Sequence, residues 1–191
     1  MFDDIRSEFF PYDIVPEITA QPIPTRREFF SLTGKYFDEG FTPFSELGAY
    51  EMPAQRHEEK SRLQEAFSRT HQEHFVFYEG ENVVGWSYGE MVDTETYFMS
   101  NSAILPDYRQ RGLYSGFLTR LIAYLTALGY ERITSTHQMN NRAVLIAKLK
   151  AGFVMSGVVL DERWSAQVQL TYHIHEDRRQ GFERAFSLEL T

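Results

Sequence analysis

Between Thr96 and Thr136 the sequence changes its hydrophobic period twice, and this succession limits the fold more than any other feature. Thr96–Leu105 reads as a strand that stops at Pro106, which cannot donate to a sheet ladder. A short basic loop follows. Leu113, Phe117, Leu121, Leu125 and Leu128 then fall on one helical stripe, and Gly129 ends it. Arg132–Thr136 is a short β-branched strand.

The flanking sequence extends this unit in both directions. Four prolines in residues 1–24 predict an extended arm with a short strand around Ile14–Ile18. Thr25 and Glu28 have the spacing of a capping box and open a short helix ending near Gly34. A second short helix is expected near Pro43–Leu47, and a polar one over 56–72 with Glu59, Leu63 and Phe67 on a narrow stripe. Phe75–Tyr78 and Val83–Tyr88 flank a turn and predict a hairpin. Residues 142–151 form a helix between an asparagine N-cap and Gly152, and Val154–Leu160 is a strand. Strict alternation across 164–174 predicts a half-exposed antiparallel strand. The tail after His175 has no clear pattern. The order of elements gives the α+β class with a mixed sheet. Trp86 and Trp164 are expected to fill the core or cover the sheet.

Composition narrows the function. The 191 residues fit a single domain with a core of its own. No cysteine is present, which excludes thiolate metal sites and a cysteine nucleophile. Two histidine pairs, His71 with His74 and His173 with His175, are too few for a zinc site unless a carboxylate converges on them, and no metal is expected. The acidic start MFDDIRSEFF does not read as a signal peptide, and no apolar run reaches membrane-spanning length. A cytoplasmic protein is expected. Residues 1–100 hold 19 acids and 8 bases, and residues 101–191 hold 8 acids and 11 bases. Nucleic acid is therefore not expected as a partner, a cationic molecule suits the first half, and an anion site suits the second.

The anion site has an address. In Leu105-Pro106-Asp107-Tyr108-Arg109-Gln110-Arg111-Gly112-Leu113-Tyr114-Ser115 a long helix begins at a glycine beside two arginines. Helix N-termini carry unpaired N–H groups, and a glycine lets phosphate approach them. The turn lacks the Gly-Lys-Ser/Thr of a P-loop and the three glycines of a dinucleotide fingerprint.

This stretch resembles the signature Arg/Gln-x-x-Gly-x-Gly/Ala of the GCN5-related N-acetyltransferase (GNAT) family. A second resemblance lies downstream, where Asn141 leads through Ala147 and Lys148 to Gly152-Phe153. The two cover residues 75–174 well and residues 1–74 loosely. The resemblance implies one domain over 1–191: an acceptor-side region (1–74), an acyl-CoA-binding core (75–174) and a C-terminal tail (175–191). It implies the acyl-CoA N-acyltransferase fold, a mostly antiparallel sheet with one splayed parallel pair, here Thr96–Leu105 and Arg132–Thr136. Acetyl-CoA, or another acyl-CoA, would bind there as co-substrate. Amides around Arg109, Gln110, Arg111, Gly112, Leu113, Tyr114 and Ser115 would cradle its pyrophosphate, and the backbone at Ala103 and Ile104 would pair with its pantetheine arm. The acceptor would be a primary amine of a small cationic molecule or a peptide.

Two positions depart from the family pattern. Tyr114 replaces the last small residue of the signature. The family often places a tyrosine seven residues after its asparagine, where it protonates the leaving thiolate; counting from Asn141 gives Lys148, and from Asn140 gives Ala147. These departures leave open a second reading, an acyl-CoA-binding module without turnover. For the base that must deprotonate an ammonium, Glu90, Glu95 and His137 lie near the two strands, and Glu95 and His137 are the preferred candidates. Relatives commonly dimerise, and the strand at 164–174 would serve a homodimer or face solvent equally well.

Overall fold

The computed structural model describes residues 2–37, 53, 56–161 and 164–186. It opens with a helix, α1 (Phe2–Phe9), whose first turn carries Asp3 and Asp4, where the helix dipole favours acids. A hairpin of β1 (Tyr12–Val15) and β2 (Ile18–Pro22) follows. The arm expected over 1–24 is thus a helix and a hairpin. The strand expected at Ile14–Ile18 straddles the turn, because Pro16 cannot continue the ladder. Next comes α2 (Arg26–Thr33), capped as expected: the Thr25 hydroxyl accepts the Glu28 N–H at 3.1 Å. The helix expected near Pro43–Leu47 lies outside the described residues. The polar helix, α3 (His57–Phe67), stops short of 72, and its stripe is not buried, with Leu63 72% exposed.

The remaining elements are β3 (Gln72–Glu79), β4 (Asn82–Met91), β5 (Thr96–Ile104), α4 (Leu113–Ala127), β6 (Arg132–Gln138), α5 (Arg142–Lys150), β7 (Val154–Asp161), β8 (Ser165–His173) and α6 (Glu176–Phe186). The tail without a clear pattern is therefore partly a helix, and Arg178 ties it to Glu131 and Glu95. All the strands among the described residues join one eight-stranded sheet in the order β1-β2-β3-β4-β5-β6-β8-β7. Every neighbouring pair is antiparallel except β5 and β6. The mixed α+β class and the single parallel pair agree with the sequence reading.

Two apolar clusters cover the two faces. Phe75, Phe77, Tyr97, Met99 and Ile133 meet the buried stripe of α4 on one face. Phe29 from α2 meets Val76, Trp86 and Ala103 on the other. Trp86 is a core residue as expected, whereas Trp164 precedes β8 and is about half exposed.

Residues 97 and 99 of β5 face the α4 side, yet Ala103 faces the α2 side. A period of two would keep all three together. The reason is a bulge: Tyr88 pairs with Asn101 but Glu90 pairs with Phe98, so β5 holds one extra residue opposite Gly89. A Cβ at Gly89 would lie 2.4 Å from the Phe98 carbonyl oxygen, so only glycine fits there.

A buried polar cluster anchors α1 to this sheet. Glu73 of β3 is 2% exposed. Arg6 grips its carboxylate with Nε and a second guanidinium nitrogen at 2.8 and 2.9 Å, and the Tyr124 hydroxyl donates at 2.5 Å. His71 lies 2.7 Å from the same carboxylate through Nε2 and 2.7 Å from the Tyr130 hydroxyl through Nδ1. Burial pushes the Glu73 carboxyl up, but hydrogen bonds from His71, Arg6 and Tyr124 outweigh it and hold the group below its ordinary range. Removing one partner leaves a buried charge unmatched. Arg6→Met is expected to cost about 3–5 kcal/mol in urea denaturation at neutral pH. A loss below about 1 kcal/mol would mean that the guanidinium contributes no more than a surface ion pair.

Candidate active site

Strands β5 and β6 share only three register pairs, Thr96 with Arg132, Tyr97 with Ile133 and Phe98 with Thr134. Beyond Phe98, β5 stays paired to β4 as far as Ile104. Beyond Thr134, β6 stays paired to β8 as far as Gln138. The inner edges therefore part into a V, leaving backbone donors and acceptors without strand partners inside the sheet. Such groups need a partner. Ala103 and Ile104 lie on the open edge of β5, where an extended ligand can add as a strand.

The turn at the end of β5 leads into α4. Gln110 and Gly112 both have left-handed backbone, with φ of 63° and 77°. Alternation of this kind turns successive N–H groups toward one side, as an anion nest requires. Gly112 is the N-cap of α4 and no side chain caps the helix. The first turn donor is the Gly116 N–H, to Gly112 O at 2.9 Å, which leaves the amides of Leu113, Tyr114 and Ser115 without helical partners. A Cβ on Gly112 would meet nothing within 4 Å, so the space beside the turn is open. Arg109 Nε donates to the Ile104 carbonyl at 3.0 Å, and Arg111 donates to the Asp107 carbonyl at 3.0 Å. The two arginines thus brace the loop and leave charge beside it. The Tyr114 side chain packs against the core cluster, and burial pushes its hydroxyl up. Its ring does not fill the turn.

Under the apex of the V lies Lys148, 0% exposed. Its Nζ donates to Ser135 Oγ at 2.6 Å, lies 3.3 Å from Met99 Sδ and stands 4.5 Å from the centroid of the Phe153 ring. Burial pushes its ammonium down to about 7. Asn141 is the N-cap of α5 and accepts the Val144 N–H at 3.5 Å, so the asparagine register runs from Asn141 and sets Lys148 seven residues on. His137 Nε2 lies 3.0 Å from Ser135 Oγ. Burial, with the Lys148 charge, pushes this imidazole down to about 3, which makes it a weak proton acceptor.

The structure does not bring Glu95 to this place. It precedes β5 at the paired end of the V, its carbonyl accepts the N–H groups of Glu131 and Arg132, and its carboxylate accepts from Arg178 at 3.3 Å. Glu90, the third residue that the sequence sets near the two strands, sits on β4 beside the bulge. Its carboxylate accepts the Ser100 hydroxyl at 2.5 Å, and burial, partly offset by Ser100 and Arg26, pushes its pKa up. The bulge that brings the Ser100 hydroxyl to the Glu90 carboxylate leaves no trace in a pattern of alternating residues. A groove of about 480 Å³ opens nearby, lined by Phe98, Thr134 and Thr136, with Asp93 and the α6 residue Phe182 at its walls.

A parallel pair forced apart in an otherwise antiparallel sheet, with an uncapped glycine-led helix at the mouth, defines the acyl-CoA N-acyltransferase fold. The chain belongs to the GNAT acetyltransferase family, whose model matches residues 37–153. Solved structures agree in fold. The yncA protein of Salmonella typhimurium, determined with acetyl-CoA, is 14% identical with a TM-score of 0.58 over 84% of this chain and 95% of its own. The Escherichia coli ribosomal-protein-S18-alanine N-acetyltransferase is 15% identical, with a TM-score of 0.61 over 82% and 94%. A spermidine N-acetyltransferase from Vibrio cholerae is 14% identical, with a TM-score of 0.59 over 84% and 95%. No curated protein matches by sequence.

The turn and the buried lysine each make a prediction. Gly112→Asp keeps a residue that tolerates left-handed φ but sets a carboxylate where phosphate would lie. Calorimetric affinity for acetyl-CoA should fall at least about tenfold, or about 1.4 kcal/mol, with little change in Tm. Unchanged affinity would remove the turn from the binding site. Lys148 ionises near 7 when folded against 10.5 unexposed to the fold, so the unfolded chain binds its proton more tightly. Its burial penalty is full below about pH 7 and fades as pH rises toward about 10. Lys148→Met should therefore be more stable than the parent near pH 6 by about 1–4 kcal/mol, with the gap closing near pH 10 in urea titrations.

Proposed function

We propose that this protein transfers an acetyl group from acetyl-CoA directly to a primary amine of a small cationic molecule or a peptide. The observation that carries this reading is the open inner edge of β5 and β6, which leads from the α4 turn to a point between Lys148 and Glu90. Pyrophosphate suits the turn amides at Leu113, Tyr114 and Ser115, flanked by Arg109 and Arg111. The pantetheine arm suits the free edge at Ala103 and Ile104, and a backbone N–H on the β5 edge that β6 leaves would serve a thioester carbonyl. That hydrogen bond would polarise the carbonyl and stabilise the oxyanion of the tetrahedral intermediate. Because the Tyr114 ring packs on the core, the departure from the family signature gives no support to a module without turnover.

The amine approaches from the α2 face, where the groove beside Phe98 and the Glu90 carboxylate share one side of the sheet. Glu90 accepts the proton of the incoming ammonium, directly or through water. Its raised pKa brings it nearer to the range a base needs at neutral pH. Glu95 is held by Arg178, and His137 has too little affinity for a proton, so neither is as well suited.

Release of free CoA thiol, followed with acetyl-CoA and a panel comprising spermidine, an amino sugar and a peptide with a free N-terminus, tests the reading. Turnover with one class supports it. Saturable acetyl-CoA binding without turnover on any of them would favour the non-catalytic module. Glu90→Gln should lower kcat by about 10²–10⁴ while leaving acetyl-CoA affinity unchanged, and should abolish the acidic limb of the pH profile. A retained limb would point to another base.

A further inference from the structure

Arg26 opens α2 and lies over the sheet face that carries Glu90. Its guanidinium carbon stands 5.1 Å from the centroid of the Phe30 ring, 5.8 Å from that of Phe67 and 6.0 Å from that of Tyr88. The elements α2, α3 and β4 thus each supply a ring to hold one cation. Among the described residues Arg26 makes no ion pair and no hydrogen bond to a carboxylate. The cation also sits in the first turn of a helix, where the dipole favours acids. A methionine would cover the same rings without setting a charge against the dipole. Contacts to ring faces leave the in-plane N–H donors of a guanidinium available.

Tyr88 connects this cation to the site. It precedes Glu90 by two residues on β4 and shares its face, about 7 Å along the strand. Its register partner on β5 is Asn101. Asn101 Oδ1 accepts the Trp86 indole N–H at 2.8 Å. An indole only donates, so the amide oxygen faces it and the amide nitrogen points elsewhere. Neither that nitrogen nor the Tyr88 hydroxyl donates to any described residue. Asn101 lies on the length of β5 that β6 leaves, so its free donor stands at the open edge. One carboxylate, Glu90, and three donors, a guanidinium, an amide and a phenol, therefore share this face. His74 also faces Arg26, but burial, with the Arg26 charge, pushes its imidazole down to about 4 and keeps it neutral. The arrangement suits a ligand with one positive and one negative group.

We propose that Arg26, assisted by the Asn101 amide and the Tyr88 hydroxyl, binds a carboxylate of the acceptor, so that the amine acetylated belongs to an amino acid or a short peptide. The proposal rests on the acyl-transfer reading above and narrows it. A polyamine is disfavoured, because its second ammonium would meet the guanidinium. The acceptor ammonium lies at Glu90 and its carboxylate at Arg26. An α-amino acid with a hydrogen bond of about 3 Å at each end spans one strand repeat. Acetyl then passes from sulfur to nitrogen: the carbon–nitrogen bond forms, and the carbon–sulfur bond breaks with its electron pair on sulfur. Of the two protons that the ammonium loses, one goes to Glu90 and one, through water, to the thiolate. The carboxylate takes no part in bond making, so Arg26 sets specificity. A bound carboxylate also offsets the Arg26 charge that lowers Glu90, so the acceptor raises the proton affinity of its own base.

The test compares the common amino acids, and a set of dipeptides, each with its own carboxamide, which keeps the amine and lacks the carboxylate. Release of CoA thiol is followed in wild type, Arg26→Met and Asn101→Asp. In wild type kcat/KM for the best acid should exceed that for its amide by at least about tenfold, mainly through KM. Arg26→Met should bring this ratio close to one. Asn101→Asp keeps an acceptor for Trp86 but repels the carboxylate, and should lower the ratio as well. A ratio taken within one protein cancels the effect of the Arg26 charge on Glu90. A ratio near one in wild type, or a preference that survives Arg26→Met, overturns the proposal, as does turnover of spermidine alone, which leaves acyl transfer intact. Calorimetry of the same acids on protein saturated with CoA separates the two readings. Arg26-dependent binding without turnover would support the carboxylate site and count against acyl transfer, whereas binding of no acid overturns the site.

Discussion

A strand cannot pair fully on both sides while it changes direction. That conflict, settled in β5 by one extra residue opposite Gly89, shapes the functional half of this protein. Beyond the bulge β5 follows β4 and abandons β6. The unpaired edges, the approach to the α4 turn and the change of face between Met99 and Ala103 all follow from it. A sheet that stayed in register would present Ala103 to α4 and close the V. Binding capacity is thus obtained by giving up ladder hydrogen bonds that a ligand of extended shape can replace.

Most of the fold was legible because its signals were local. The stripe from Leu113 to Leu128 with its terminal glycine, the Thr25 cap and the alternation around 168–172 each depend on neighbours a few residues apart. The N-terminal arm was misread because prolines mark turns without saying what lies between them. Pro11 follows a helix, and Pro16 lies in the tight turn between two strands. The pairing of α1 with the sheet is invisible in the chain, since Arg6 and Glu73 are far apart in sequence and meet only in the fold. In the candidate site, the glycine-led turn was legible for the same local reason. Lys148 is marked by its spacing from Asn141, whereas the absence of an anionic partner among the described residues shows only in the fold. Glu90 gained its place only through the bulge.

Glu73 on β3 and Lys148 on α5, both buried, are treated in opposite ways. Glu73 receives a bidentate arginine, a tyrosine and a histidine, and the sum of these contacts holds it ionised. Such a saturated carboxylate has no capacity left for a substrate and serves to join α1 to β3. Lys148 is equally buried but receives no anion among the described residues, and burial pushes its ammonium down to about 7. Burial alone does not separate a structural charge from a chemical one; the number of satisfied partners does.

The sheet also keeps Lys148 and Glu90 apart. Lys148 lies on the face covered by α4 and α5, and Glu90 on the face covered by α2. Burial moves the lysine down and the glutamate up, so both shift toward neutrality. Had they shared one face within contact distance, each would have stabilised the charge of the other, and both shifts would have reversed. The strand pair acts as a partition whose one gap is the V itself. In the proposed reaction the reacting carbon would be held in this gap, where the two faces meet.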